Sequence, residues 1–255
     1  MRPAALLLAA TAPAVMAQAP APTLVPDVSQ REIEIIYSFT GAELLLFGAI
    51  LYPGGRVPQG RAPAEVVVVV KGPTQSIRVR EKQRVAGIWV NAEDLRYRSA
   101  PSFYAVASSR PITEIVDERT RAIYELGLDS LQLSPASSAA PEVENRFAEG
   151  LVELRRRTGL YYEAPGAVEI TGGVLYRARV QIPARVPVGR FTAETFLIRD
   201  GRVLAAAVRE IDIRKSGFER FVARAADRNA VLYGLTAVAL SVALGWAAGL
   251  AARRL

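Results

Sequence analysis

The chain has 255 residues, of which 51% are hydrophobic and 22% charged, with 32 basic residues against 25 acidic ones. This composition supplies a packed core and excludes disorder over most of the length, because disordered chains combine low hydrophobicity with high net charge. Cysteine and histidine are absent, so disulfides, thiolate or imidazole metal ligands and the Ser-His-Asp and Cys-His catalytic groups are excluded. We therefore predict no metal site, no cofactor and no catalytic residue.

The N-terminal segment has the pattern of a secretory signal peptide. Arg2 precedes the short apolar run 4–14, and small residues surround a cleavage position after Ala17. An uncleaved anchor is the alternative, but about 11 apolar residues span only about half of the hydrocarbon core. We predict a signal peptide at 1–17 and, because of its prolines, an extended tether at 18–30.

Short apolar runs punctuated by Pro, Gly and Asn then predict a β-rich domain. The predicted strands lie at 31–38, 43–52, 66–70, 75–80, 85–90, 102–108, 168–170, 174–182, 190–198 and 202–213. A first helix is predicted from Thr113 to just before Gly127, and Pro141 opens a second one that ends before Gly159. Asp200-Gly201 between two apolar runs predicts a hairpin.

The fold class that follows is mainly β. The proline-to-glycine corner at 182–191 is typical of immunoglobulin-like sandwiches, so we predict an immunoglobulin-like β-sandwich with two inserted helices over 31–213. Two sub-domains, 31–160 and 161–213, are the open alternative. Arg155-Arg156-Arg157 lies in the last turn of the second helix, where cations complement the helix dipole, and we predict no nucleic-acid binding.

The C-terminal segment is uncharged from Ala230 to Ala252. A helix of this length would be about 34 Å long, enough for a bilayer core of about 30 Å. We predict a basic juxtamembrane helix at 214–229, a transmembrane helix at 230–252 and a cytoplasmic tail at 253–255. Together with the signal peptide, these segments predict a single-pass protein of the inner (cytoplasmic) membrane with its bulk in the periplasm.

Small residues recur every four positions within the predicted transmembrane helix. They are Ala237, Ser241, Gly245 and Gly249. Small side chains on one face let two helices approach closely in lipid. We therefore predict that this face packs against another helix, either of a second copy or of a permease.

Cations cluster around the valine strand and the segment that follows it. The candidate anion-binding residues are Lys71, Arg78, Arg80, Lys82, Arg84 and Arg110. Alternate positions of a strand share a face, and arginine offers paired donors to an oxyanion. The alternative is a solvated face opposite Ile77 and Val79. Trp89 is expected in the core, with ligand stacking as its alternative role.

Several stretches of the chain resemble a known family. They are FTGAE at 39–43, VVVVVKGP at 66–73, VAGIWVN at 85–91 and PSFYAVASSRP at 101–111. They resemble a putative transmembrane protein family of alphaproteobacteria, whose members have about this length, and the resemblance extends from Ile33 onward. It implies a membrane protein with no catalytic residues to carry over, and a loose association with sulfite-exporter-type permeases.

Three function classes remain open at this point. The first is a membrane-anchored interaction or accessory subunit, for example of a transporter, with the lipid bilayer and a permease or a second copy as partners. The second is an exported anion-binding or sensing module. The third is an enzyme of unrecognised class.

Overall fold

Three β-sheets and four helices form the part of the chain that the computed structural model describes, which comprises residues 21–35, 40–59, 62–215 and 226–252. The strands are β1 (Thr23–Val28), β2 (Glu32–Ile35), β3 (Gly41–Leu51), β4 (Glu65–Lys71), β5 (Thr74–Val85), β6 (Ile88–Pro101), β7 (Tyr104–Ser108), β8 (Ser134–Pro135), β9 (Tyr161–Pro165), β10 (Val168–Thr171), β11 (Leu175–Pro183), β12 (Gly189–Arg199) and β13 (Arg202–Lys215). The helices are α1 (Ile112–Ile115), α2 (Glu118–Tyr124), α3 (Pro141–Arg157) and α4 (Ala230–Ala252), with 3-10 turns at Pro53–Gly55 and Leu128–Ser130.

Two of the sheets enclose one core. One has the strand order β1-β3-β11-β10 and the other the order β2-β13-β12-β4-β7-β9. The pairs β2–β13 and β7–β9 are parallel, whereas the other pairs in these sheets are antiparallel. The five valines of β4, residues 66–70, are all fully buried. Both faces of β4 are therefore covered, as its unbroken apolar run predicts.

The chain is not divided at residue 160. β11 pairs with β3, and β12 pairs with β4, so each sheet combines strands from both sides of that position. β1 pairs with β3 from Thr23 to Val28. This part of the predicted tether at 18–30 is therefore a strand of the sheet.

The third sheet is the long hairpin β5–β6, with β8 beside β6. Its base packs against α3, where Val79, Leu95 and Tyr97 contact Phe147 and Leu151 in a small core of their own. α3 begins at Pro141 and has three arginines in its last turn. The predicted second helix is thus confirmed, with its charges arranged to complement the dipole.

The first predicted helix is interrupted. α1 ends at Ile115, Val116 is extended, and the side chain of Asp117 accepts a hydrogen bond from the Thr120 amide at 2.8 Å to cap α2. α2 ends where Glu125 adopts the left-handed conformation, with φ 51°. The single helix predicted from Thr113 is therefore two short ones, because a new N-cap begins at Asp117.

The predicted fold class, an immunoglobulin-like β-sandwich with two inserted helices and a C-terminal transmembrane helix, is wrong in its membrane element. None of the helices in the described residues combines the length and the apolarity needed to cross a membrane. α4 occupies the predicted span, but eight of its 23 residues are alanine and three are glycine. The side chains that favour membrane insertion most are those of Leu, Ile, Phe and Val. An uncharged run predicted the helix correctly but overestimated its apolar character, and what remains of the predicted class is a mainly β protein.

Some predicted segments lie outside the described residues. They are the signal peptide at 1–17, the tail at 253–255 and residues 216–225 of the predicted juxtamembrane helix. Arg214 and Lys215 belong to the end of β13. The predicted start of that helix at residue 214 is therefore wrong, because this part of the chain continues the pairing with β2.

Candidate interaction site on the β5–β6 hairpin

The outer half of the β5–β6 hairpin extends away from the packed layers. Every residue from Lys82 to Asp94 is exposed. The turn is formed by Ala86 and Gly87, both with positive φ, at 50° and 85°. Such turns match the right-handed twist of the two strands. From the Arg80–Asp94 pair to the turn, six residues carry the strand about 20 Å outward at about 3.3 Å per residue.

The end of the hairpin is apolar although it is exposed. We call the four apolar side chains beside the turn the tip, and they are Val85, Ile88, Trp89 and Val90. Ile88 is 68% exposed and Trp89 66% exposed. Val85 pairs with Ile88 on one side of the ladder, whereas Arg84 pairs with Trp89 on the other. A cluster of large apolar side chains in solvent is a feature that needs a functional explanation.

The expectation that Trp89 lies in the core is wrong. The run at 85–90 reads as one apolar strand, but it contains the turn of the hairpin, so its side chains have no layer to pack against. The signal that identifies the turn is the small pair Ala86-Gly87 in the middle of the run.

One face of the hairpin carries most of its charge. We call this the cationic face, formed by Arg78, Arg80, Lys82 and Arg84 of β5 and Arg96 of β6. Arg78 lies directly opposite Arg96, and Arg80 opposite Asp94, which supplies the only carboxylate on this face among the described residues. Asp94 forms an ion pair with Arg78, with 3.3 Å between the charged atoms. Arg80, Lys82 and Arg84 have no carboxylate partner within the part of the chain that the structure describes.

The opposite face of the hairpin contacts α3 through ion pairs and apolar side chains. Glu81 and Glu93 lie side by side across the ladder, and both bind the guanidinium of Arg146, at 3.2 and 2.6 Å. Beneath them the apolar cluster around Phe147 begins. These contacts hold the base of the hairpin, and the tip lies beyond them.

The structure brings together four of the six predicted anion-binding residues. Arg78, Arg80, Lys82 and Arg84 share a face as predicted, opposite Ile77 and Val79. Lys71 instead lies at the end of β4, where Glu125 and Glu194 bind its ammonium at 2.8 and 3.3 Å.

Arg110 is also engaged away from the hairpin. It binds Glu65 at 2.9 Å and Glu114 at 3.4 Å. Lys71 and Arg110 therefore have carboxylate partners of their own, apart from the four cations of the hairpin. Anion binding by any of the six stays a prediction. Sequence reasoning also missed Arg96, whose alternation with Asp94 on the exposed side of β6 is the signal that identifies it.

The predicted helix-packing residues lie on α4. The described side chains of α4 up to Trp246 are exposed, and the Ser241 hydroxyl donates a hydrogen bond to the Ala237 carbonyl at 2.9 Å. Apart from the backbone of the same helix and the adjacent residues, a Cβ atom added at Gly245 or Gly249 would meet no atom of the described residues within 4 Å. Packing of this face against another helix stays a prediction.

No group of three or more acidic side chains in the described residues is arranged to hold a metal ion.

A comparison with curated proteins finds no match to the chain. A family model described as "Putative transmembrane protein (Alph_Pro_TM)" matches residues 23–254. The expected association with sulfite-exporter-type permeases is not shown by this match. The match includes the two sheets that enclose the core, the β5–β6 hairpin and α4. Its description associates the chain with membranes. The chain therefore belongs to this putative transmembrane protein family.

Proposed function

We propose that the protein is a membrane-associated accessory subunit and that its β5–β6 hairpin contacts an anionic lipid surface. The observation that carries the proposal is the tip, where four apolar side chains including Trp89 are presented to solvent beyond the packed layers. The family description, which associates the chain with membranes, supports the same proposal.

The chemistry of the tip suits the boundary between lipid and water. Tryptophan favours this boundary because its ring is apolar and its N–H finds a polar partner. Val85, Ile88 and Val90 add aliphatic surface on the other side of the ladder. Burying apolar surface is favourable by about 25 cal/mol per Å², so shallow insertion of the tip would offset the loss of freedom on binding.

The cationic face supplies the second attraction. Lys82 and Arg84 are the cations nearest the tip, and neither has a carboxylate partner in the described part of the chain. Each basic residue near an anionic surface contributes about 1 kcal/mol of binding free energy. Apolar insertion and headgroup attraction thus act at the same end of the hairpin.

A site for a small free anion, the second function class, has less support. Lys71 and Arg110 are bound by carboxylates, and the remaining cations lie on an open strand face. Small ligands bind in concave sites that cover most of their surface. A broad lipid surface fits an open face better.

The remaining parts of the proposal concern location and partner. Export of the β-rich part follows from the pattern of residues 1–17. The protein partner is a permease or a second copy of the chain, held next to the membrane by the hairpin.

Trp89 itself provides the test. The chain has two tryptophans, Trp89 and Trp246, so Trp246→Phe makes Trp89 the only indole and separates the tip from α4. We expect the emission of Trp89 to shift to the blue with vesicles containing anionic lipid, and brominated lipids to quench it.

The matched control is Trp89→Phe with Trp246 retained, which reports contacts of α4 alone. Vesicles of purely zwitterionic lipid should give a weaker effect on Trp89. If aqueous iodide quenches Trp89 equally with and without anionic vesicles, the hairpin does not insert and the proposal is wrong.

A further inference from the structure

A separate feature lies at one end of the sandwich, remote in the chain from the hairpin. Arg199, the last residue of β12, is only 8% exposed. It lines a cavity of about 360 Å³ between the two sheets and the segment that follows β3, together with Tyr52, Val57, Pro58, Ser109 and Ile170. We propose that this cavity binds a small monocarboxylate with a short apolar body, whose carboxylate pairs with Arg199.

The guanidinium of Arg199 is poorly satisfied. Its Nε is buried and has no hydrogen-bond partner among the residues that the structure describes. Its Nη2 donates one long hydrogen bond of 3.4 Å to the Tyr52 hydroxyl, and the guanidinium carbon lies 5.6 Å from the centre of the Tyr52 ring. No carboxylate among the described residues pairs with it. Because buried charges are normally paired, an anion that entered the cavity would give this guanidinium the partner that the described residues do not supply.

The acidic residue of the cavity lining does not fill that role. The Glu65 carboxylate accepts a hydrogen bond from the Ser109 hydroxyl and forms an ion pair with Arg110 at 2.9 Å. Its charge is therefore already compensated from the exposed side. The charge of Arg199 remains available to a ligand.

The walls determine the class of ligand. Val57, Pro58 and Ile170 present apolar surface, whereas the only cationic group of the described lining is Arg199. A planar carboxylate matches the paired donors of a guanidinium. A phosphate carries more charge and needs more donors than one arginine and one tyrosine hydroxyl. The volume is near the lower limit of ligand cavities, about 300 Å³, so the apolar body must be short.

The test compares hexanoate with hexanamide, which has the same shape without the charge, on the full chain. We expect millimolar hexanoate to raise the melting temperature of the wild type by several degrees once it is well above its Kd, and hexanamide to have little effect. Arg199→Met should lose the shift. Without ligand it should melt no lower than the wild type, since it removes an unpaired buried charge.

Arg202→Met is the matched control. Arg202 lies opposite Arg199 across the Asp200-Gly201 turn, but it is exposed and outside the cavity lining, so its hexanoate shift should equal that of the wild type. Equal shifts with hexanoate and hexanamide, no shift in the wild type, or an unchanged shift in Arg199→Met would each overturn the proposal. A shift with inorganic phosphate but not with hexanoate would also overturn it. The comparison of the two ligands on the wild type does not depend on how any variant folds.

Discussion

Replacing Lys82 and Arg84 with glutamine should weaken binding to anionic vesicles by about 30-fold. Arg84 pairs across the ladder with Trp89, and Lys82 lies two residues further back, about 7 Å along the strand. Both are within a Debye length of the tip, which is about 10 Å at 0.1 M salt. Two cations at about 1 kcal/mol each give about 2 kcal/mol, or roughly 30-fold in the partition constant.

The same geometry predicts a small effect at the next cation. Arg80 lies about 13 Å behind Arg84 along the strand at about 3.3 Å per residue, so salt screens it from lipid bound at the tip. Arg80→Gln should therefore change the partition constant by no more than about twofold at 0.1 M salt. All three cations are exposed, and such changes usually alter the free energy of unfolding by less than about 0.5 kcal/mol each.

The assay is titration with anionic vesicles, followed by Trp89 emission in the Trp246→Phe background. The charge-matched control is Arg56→Gln with Arg119→Gln, two exposed arginines outside the hairpin. If this control weakens binding as much as the Lys82 and Arg84 variant does, only net charge matters and the proposed orientation is refuted. An effect of Arg80→Gln equal to that of the double variant would also refute tip-first binding.

Three further predictions concern stability. Burial raises the pKa of Tyr161 to about 12, whereas a tyrosine of the unfolded chain has a pKa of about 10 and loses its proton first. The free energy of unfolding should therefore fall by about 3 kcal/mol between about pH 10 and about pH 12 because of this residue. In urea unfolding, Tyr161→Phe should show a shallower fall of this free energy with pH, and a fall identical to that of the wild type would contradict the prediction. Phe147→Ala should lower the free energy of unfolding by about 3–5 kcal/mol in urea titration because it empties the core at the base of the hairpin, and a loss below about 1 kcal/mol would show that this core is dispensable. Gly48→Ala should destabilise the edge strand β1, since the added Cβ would lie 2.5 Å from the Val25 carbonyl oxygen; unchanged hydrogen-exchange protection of β1 would contradict that clash.

Local patterns predicted most strands and α3, because a strand or helix is encoded by periodicity and by the residues at its ends. The valine run of β4 and the Asp200-Gly201 turn are clear examples, and both are confirmed. The break between α1 and α2 was missed because Asp117 is as compatible with a helix interior near its start as with a new N-cap.

The candidate site was harder to predict because it depends on contacts distant in sequence. Lys71 binds Glu125, 54 residues away, and nothing near Lys71 in the sequence indicates that pair. The residues next to Trp89 in the sequence are the same whether its strand packs under another layer or protrudes into solvent, so they do not predict its exposure. For the same reason, the isolated charge of Arg199 could not be anticipated, since its burial is produced by residues from both sheets.

The β5–β6 ladder pairs without a register shift from Lys82 to the turn, so the length of this outer part can change in fixed steps. Each addition of two residues to both strands would move the turn outward by about 7 Å and keep Trp89 on the side of the cations. Adding a single residue to each strand would instead turn the apolar and charged sides over relative to α3, because successive side chains point to opposite faces. A change in the depth or distance of the surface that the hairpin touches can therefore be accommodated by paired insertions near Ala86 and Gly87, while the sandwich keeps its own register.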